Sequence, residues 1–196
     1  MLIDPSRSTQ ERQPGLVVWL TGLSGSGKTT IAIEVEKRLF ARQVPVYRLD
    51  GDSLRQGLNA DLGFSHADRK ENIRRVGEVA RLFQDAGLIL LASFISPQQS
   101  MRAFARSLVP ESTFIEVYVQ ASLETCIQRD HKGNYKRALA GKIQNYTGID
   151  QEYEEPLNPE LVLNTEQLSV SACAARVVDE IDHSIAILKQ RKRGEG

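Results

Sequence analysis

"GLSGSGKT", Gly22–Thr29, decides how this chain is read. It satisfies G-x-x-x-x-G-K-[ST], with Gly22, Gly27, Lys28 and Thr29 at the required places. Just upstream, "GLVVWLTG" is a short apolar run of the kind that forms a buried strand. Just downstream, Lys28–Arg42 carries Ile31, Val35 and Leu39 at four-residue spacing, which predicts a helix. A strand, a glycine-rich turn and a helix in that order make a phosphate cradle. Small residues let successive backbone N–H groups curve around the oxygens, and the helix offers its positive end. Gly22, Leu23, Ser24, Gly25, Ser26, Gly27, Lys28, Thr29 and Thr30 are therefore expected to hold ATP. Lys28 would reach the β- and γ-phosphates, and Thr29 would ligate Mg²⁺.

Outward from this turn, strands and helices alternate. "VPVYRLD" (residues 44–50) reads as a second strand, followed by a glycine-punctuated loop with a short helix (51–65). A long helix is expected from Asp68 to about Ala86, with Ile73, Val76, Val79, Ala80 and Phe83 on one stripe. "LILLASF" (88–94) is apolar throughout, as a central parallel strand covered on both faces must be. Helices are expected over Gln98–Arg106 and Leu123–Arg129, strands at "FIEVYV" (114–119) and "ELVLNT" (160–165), and a closing helix over Ser169–Lys189 capped by Ser169 or Ser171. The pattern predicts an α/β three-layer sandwich with a mainly parallel sheet, the fold of P-loop nucleoside triphosphate hydrolases and kinases. Ligands in such folds bind beyond the carboxyl ends of the strands, which puts Gly22, Asp50, Ser96 and the residues after Val119 on one edge. Residues 1–14 are expected to be a flexible arm, 15–190 one kinase domain, and 191–196 a frayed basic tail. Polar, glycine-dotted residues 130–159 are the expected lid.

Bulk properties narrow the function. Lys plus Arg and Asp plus Glu each total 25, so no electrostatic footprint for nucleic acid is present. No run reaches transmembrane length, and the first residues lack a secretory signal. Cys126 and Cys173 have no metal-like spacing and fit reduced thiols in a cytoplasmic protein. The guanine-reading N-K-x-D of a GTPase and the L-S-G-G of a transport ATPase are both missing. "DHKG" matches D-x-x-G only by coincidence, since it falls in the lid. What remains is a small-molecule kinase, or a nucleotide-binding module without turnover.

The acceptor side begins at "LDGDSLR". Asp50 and Asp52 lie two apart beyond a strand end, a pattern that suits magnesium geometry or proton removal from an acceptor hydroxyl. Asp52 is assigned as the base and Asp50 to hydrated Mg²⁺ or its outer shell; the two roles could be exchanged. Arg69, Asn72 and Arg75 recur at three-residue spacing and are expected to share a helix face suited to an anionic acceptor, with Arg55 adding a further fork. Phe64 could stack on a base. Ser96 has a hydroxyl near the reaction centre but no activating neighbour, which favours binding or capping over covalent chemistry; Ile95 beside it offers backbone contacts. In the lid, Lys132, Lys136, Arg137 and Lys142 supply positive charge and Tyr135 and Tyr146 aromatic surface. Arg129 is an expected ATP contact.

Taken together, "GLSGSGKTT", "LDGD", "LGFS", "DRKENIRR", "FISP", "RDHKG" and "YTGID" with "YEEP" resemble the adenylylsulfate kinase family across about Gly15–Thr165. The resemblance implies transfer of the γ-phosphoryl of MgATP to the 3′-hydroxyl of adenosine 5′-phosphosulfate, giving ADP and 3′-phosphoadenylyl sulfate in sulfate assimilation. It implies acceptor-binding roles for Asp52, Ser53, Leu54, Arg55, Phe64, Arg69, Lys70, Glu71, Asn72, Ile95, Ser96, Lys132, Asn145 and Tyr146, with Arg75 joining from the same helix. The adenine would lie between Phe64 and Tyr146. It places Ser96 at a serine discussed as a phosphate carrier, so Asp52, Lys28 and Ser96 are the catalytic candidates, with direct in-line transfer preferred. A homodimer and a functional link to a sulfate adenylyltransferase are also implied. Ser53 stands where the family has asparagine, Tyr146 where it has phenylalanine, and "KGNY" where it has "KGLY".

Overall fold

The computed structural model describes residues 13–194; the expected arm, apart from Gln13 and Pro14, lies outside them. Five strands, β1 (Leu16–Thr21), β2 (Val46–Asp50), β3 (Ile89–Ser93), β4 (Phe114–Gln120) and β5 (Leu161–Asn164), form one sheet. Their order is β2-β3-β1-β4-β5, and every pairing is parallel. Among the described residues seven α-helices surround it: α1 (Lys28–Ala41), α2 (Gly51–Arg55), α3 (His66–Asp85), α4 (Gln99–Ser107), α5 (Leu123–Gln128), α6 (Asn134–Leu139) and α7 (Val170–Gly194).

The two-residue period of β1 divides the core. Leu16, Val18 and Leu20 pack with Ile31, Val35 and Leu39 of α1 and Val177 and Ile181 of α7. Val17 and Trp19 face the other way, against Ile73 and Val76 of α3 and Met101 and Ala105 of α4. A central strand that serves two such layers is apolar along its length, as β1 and β3 are up to their last residues, Thr21 and Ser93, and as most of β4 is. The strand order reverses at β1, so the crevice at its carboxyl end lies at the switch point where such sheets bind ligands.

Several elements differ from expectation. Helix α3 begins at His66, ahead of Asp68, because Ser65 accepts from the Asp68 amide and the Asp68 carboxylate accepts in return from the Ser65 amide. Asp68 is thus the third residue of a capping box. Helix α7 starts one residue after Ser169, whose hydroxyl accepts from the Ala172 amide at 3.2 Å; it runs on past Lys189 to Gly194, so residues 191–194 of the expected tail are helical. Helix α6 was not foreseen. Its six residues are too few to show a period, but Tyr135 and Ala138 bury against Cys126 and Tyr146 in a small third cluster.

Among the described residues no helix is long and apolar enough to cross a membrane.

Candidate active site

The turn between β1 and α1 has the shape a phosphate cradle needs. Gly22 sits at φ 145°, and a Cβ there would lie 2.4 Å from the Val119 carbonyl at the end of β4. Gly27 caps α1 at φ 105° with no side chain bonded to the first-turn amides. Those amides are left pointing outward, available to an anion. Lys28 bridges the turn, donating to the carbonyls of Gly22 (2.9 Å) and Leu23 (2.7 Å). Burial disfavours its charge and pushes the ammonium down to about 8. Thr29 and Thr30 are exposed at the mouth.

In front of the turn opens a cavity of about 610 Å³. Ser24–Thr30 line it, as do Arg129, Asp50, Asp52, Arg55, Phe64, Arg69, Asn72, Ile95, Ser96, Lys132 and Tyr146. The structure therefore brings most of the expected site residues together from distant parts of the chain. Gly22, Leu23, Ser53, Leu54, Lys70, Glu71, Arg75 and Asn145 do not line it. Of these, Gly22 and Leu23 act through the carbonyls that hold Lys28, and Asn145 through its own carbonyl, which accepts from Arg69.

Arg75 corrects the helix-face reading. Helical residues three apart fall about 60° short of a full turn, so Arg75 lies about 120° around α3 from Arg69. Its guanidinium instead grips the loop before α3, bonding both carboxylate oxygens of Asp61 (2.6 and 2.8 Å), the Leu58 carbonyl (2.8 Å) and Glu71 (2.9 Å). Glu71 also takes two bonds from Arg74. Those paired arginines hold the Glu71 carboxyl down at about 2.

Arg69 faces the cavity but is largely engaged by the protein. It donates to the Phe64 carbonyl (3.0 Å), the Thr147 hydroxyl (2.9 Å) and the Asn145 carbonyl. Arg55 donates to the Leu62 carbonyl (2.9 Å) and stacks on the Phe64 ring at 4.2 Å. These two guanidiniums thus fix Phe64 and the segment around Tyr146 as much as they offer positive charge.

The carboxylates divide clearly. Asp50 caps α2, accepting from the Asp52 and Ser53 amides, while its other oxygen accepts from Arg48 at 2.7 Å. Burial pushes its carboxyl up, but the bonds from Ser53 and the Arg48 charge outweigh that and hold it below its ordinary value. Asp52 is exposed on the first turn of α2 and bonds Lys132 of the expected lid.

Ser96 is almost fully buried. Its hydroxyl accepts from Trp19 Nε1 (3.0 Å) and donates to Thr21 (3.0 Å), which in turn donates to the Ile95 carbonyl (2.7 Å). The cap expected of Ser96 falls to Gln98, which precedes α4 without a side-chain cap bond.

Several site elements lie outside the sequence reading. Tyr153 shares a 2.8 Å hydrogen bond with Thr21, Glu154 accepts from the Gln99 amide (2.8 Å) and its carbonyl from Arg102 (2.7 Å). These bonds tie the end of the expected lid to β1 and α4. Thr165, Leu168, Val170 and Cys173 line the far end of the cavity beside Arg129. Arg129 donates to the Thr165 hydroxyl (2.9 Å) and carbonyl (3.0 Å), and Thr165 donates to the Ser26 carbonyl (3.0 Å). The carboxyl-edge rule applied to "ELVLNT" could have found Thr165, because β5 ends on the same edge as β1. Ser93 also lines the cavity; its hydroxyl is buried without a partner, in register with Asp50 of β2.

A family profile described as adenylylsulphate kinase matches residues 14–164. An adenylyl-sulfate kinase of Geotalea uraniireducens is 53% identical over 171 residues, covering 87% of this chain and 82% of its own. One from Vibrio vulnificus is 52% identical over 175 residues, covering 89% and 84%. The Mycobacterium tuberculosis APS kinase CysC, solved in complex with AMPPNP and APS, superposes with TM-score 0.83 at 46% identity over 86% of this chain and 98% of that one.

Proposed function

This chain belongs to the adenylylsulphate kinase family, and we propose that the cleft in front of the phosphate turn works as follows. The enzyme transfers the γ-phosphoryl of ATP to adenosine 5′-phosphosulfate, giving ADP and 3′-phosphoadenylyl sulfate. The observation that carries the residue assignments is the one cavity joining the phosphate turn to Asp52, Asn72 and the lid region.

The triphosphate lies on the free amides of the turn, with Lys28 leaving the loop carbonyls for the β- and γ-phosphates. The far pocket of Arg129, Thr165 and Leu168 receives the ATP base. The acceptor nucleotide occupies the end bounded by Phe64 and Tyr146, with Arg55, Arg69 and Asn72 toward its anionic part. Its 3′-oxygen forms a bond to the γ-phosphorus as the bond from that phosphorus to the β-phosphate oxygen breaks. The hydroxyl proton passes to Asp52, and ADP leaves. Lys132, ion-paired with Asp52, carries positive charge from the lid (130–159) to the reacting oxygens. Ser96 contributes a pin between β1 and the turn after β3, and no phosphate passes through it.

Magnesium fits the residues present. Thr29 offers an exposed hydroxyl at the mouth of the turn, and the unpartnered Ser93 hydroxyl lies beside Asp50. Because both Asp50 oxygens are already bonded, Asp50 would act through metal-bound water and Thr29 directly. Bound there, the ion would neutralise charge on the transferring phosphoryl group. Two free buried cysteines support a cytoplasmic setting. A homodimer, and supply of the acceptor by a sulfate adenylyltransferase, complete the reading.

The test is ADP release that depends on adenosine 5′-phosphosulfate at micromolar concentration; no acceptor-dependent ADP would defeat the reading. Asp52→Asn keeps size and removes the base, so kcat is expected to drop about 10²- to 10³-fold. Unchanged turnover in that variant would overturn the role of Asp52.

A further inference from the structure

We infer that Asn59 is a positioning residue for the acceptor, acting through Asn72. The inference rests on the reading above, in which Asn72 meets the acceptor nucleotide.

Asn59 lies in the loop between α2 and α3 and has no exposed surface. Its backbone N–H donates to the Leu54 carbonyl at 2.9 Å. Its side-chain Nδ2 donates to Asn72 Oδ1 at 2.5 Å, while its own Oδ1 is buried with no partner among the described residues. Asn72 lines the cavity and Asn59 does not.

A primary amide has a donor end and an acceptor end. With its oxygen held from behind by Asn59, Asn72 must turn its NH₂ group toward the cavity. That is the end an anionic acceptor needs, since phosphate and sulfate oxygens accept hydrogen bonds and are repelled by a carbonyl dipole. The opposite arrangement would require both amides to turn together and would face the Asn72 oxygen toward those anions. The unpaired Oδ1 of Asn59 is an unfavourable feature in a fully buried side chain, and it has a reason if the donor end of Asn59 is committed to Asn72.

A purely structural role is less economical. The same loop is already fastened to α3 by Arg75, through two bonds to Asp61 and one to the Leu58 carbonyl. The Asn59–Asn72 bond adds little as a tether but decides which way one cavity-lining amide faces.

The test is a double-mutant cycle in steady-state kinetics, with thermal melting of each variant. Asn59→Ala is expected to raise the acceptor KM about tenfold, the scale of one hydrogen bond to an anion. The kcat and the ATP KM should stay within about twofold. In an Asn72→Ala background the same change should add nothing, because the residue through which Asn59 acts is gone. Asn59→Asp, of equal size but able only to accept when ionised, should raise the acceptor KM more than alanine by drawing the Asn72 NH₂ away from the cavity. If Asn59→Ala does not fold, the cycle is run with Asn59→Ser, whose hydroxyl is too short to reach Asn72. An unchanged acceptor KM, an equal rise in both backgrounds, or a joint loss of kcat and both KM values would each overturn the inference. Absence of acceptor-dependent ADP release in the unmodified enzyme would instead defeat the functional reading, and the inference with it.

Discussion

The two ends of the cleft are built on different principles. At the proposed phosphate end, one contiguous stretch, Gly22–Thr30, would do the work, mostly with its main chain. Positive φ angles at Gly22 and Gly27 and an uncapped α1 aim backbone amides at a common point. At the proposed acceptor end, Asp52, Asn72, Lys132 and Tyr146 line the cavity from four separate segments. Each presents a side chain whose direction depends on a neighbour: Lys132 for Asp52, Asn59 for Asn72, Tyr135 for Tyr146 at a 5.1 Å ring-to-ring distance. A triphosphate can be recognised by local backbone shape. A particular nucleotide acceptor needs groups that only folding can bring together.

That contrast can be broken at its strongest point first. Lys28→Ala should lower kcat about 10³-fold, the scale of removing a preorganised charge from a transferring phosphoryl group. The melting temperature should hold or rise, because burial disfavours the Lys28 charge. A collapsed fold would mean that Lys28 is chiefly a scaffold. Next in size is Arg69→Ala, which releases Phe64, Thr147 and Asn145 at once. The acceptor KM should rise about 10- to 100-fold, with faster proteolysis within residues 130–159 and little change in the ATP KM. An equal rise in both KM values would erase the division between the two ends.

A smaller effect sharpens the phosphate end. Lys28 is pushed down to about 8 in the folded protein against 10.5 for an ordinary lysine. The unfolded chain therefore holds this proton more tightly than the folded one. The resulting destabilisation is full below about pH 8 and is relieved as pH rises toward 10.5. A bound triphosphate restores the charge, so at about pH 9 nucleotide binding should take up close to one proton, and affinity should fall up to about tenfold per pH unit above 8. Calorimetry in two buffers of different ionisation enthalpy reads this directly; no proton uptake at that pH would contradict it. Smallest of all, Arg75→Ala should change the acceptor KM less than about threefold, since its charged partners, Asp61 of the loop and Glu71 of α3, are both solvent-accessible. A larger rise would return Arg75 to the acceptor face.

Periodicity made the sheet and the long helices legible because it records which faces are buried. The run "LILLASF", apolar but for Ser93, marked β3, and the four-residue spacing after Lys28 marked α1. Short elements were harder. Helix α6 spans too few residues to display a period, and its existence depends on Tyr135 finding Cys126 and Tyr146. Arg75 shows the same limit in a side chain. Spacing alone put it with Arg69 and Asn72, but Asp61 and the Leu58 carbonyl drew it to the loop instead.

By itself, the amino-acid sequence determined the phosphate turn, the parallel α/β architecture and, through motif resemblance, the kind of acceptor. These depend on local backbone geometry and on patterns of burial that repeat along the chain. Only the tertiary structure decided how Asp50 and Asp52 differ, with one engaged as a helix cap and the other open to Lys132. It alone revealed the Thr165–Leu168 pocket beside Arg129, the Ser96 hydroxyl bonded between Trp19 and Thr21, and Asn59 behind Asn72. The Asp50 cap is local, but the partners that set Asp52, Ser96 and Asn72 apart are many residues away in the chain; packing brings them together, and no local pattern encodes that.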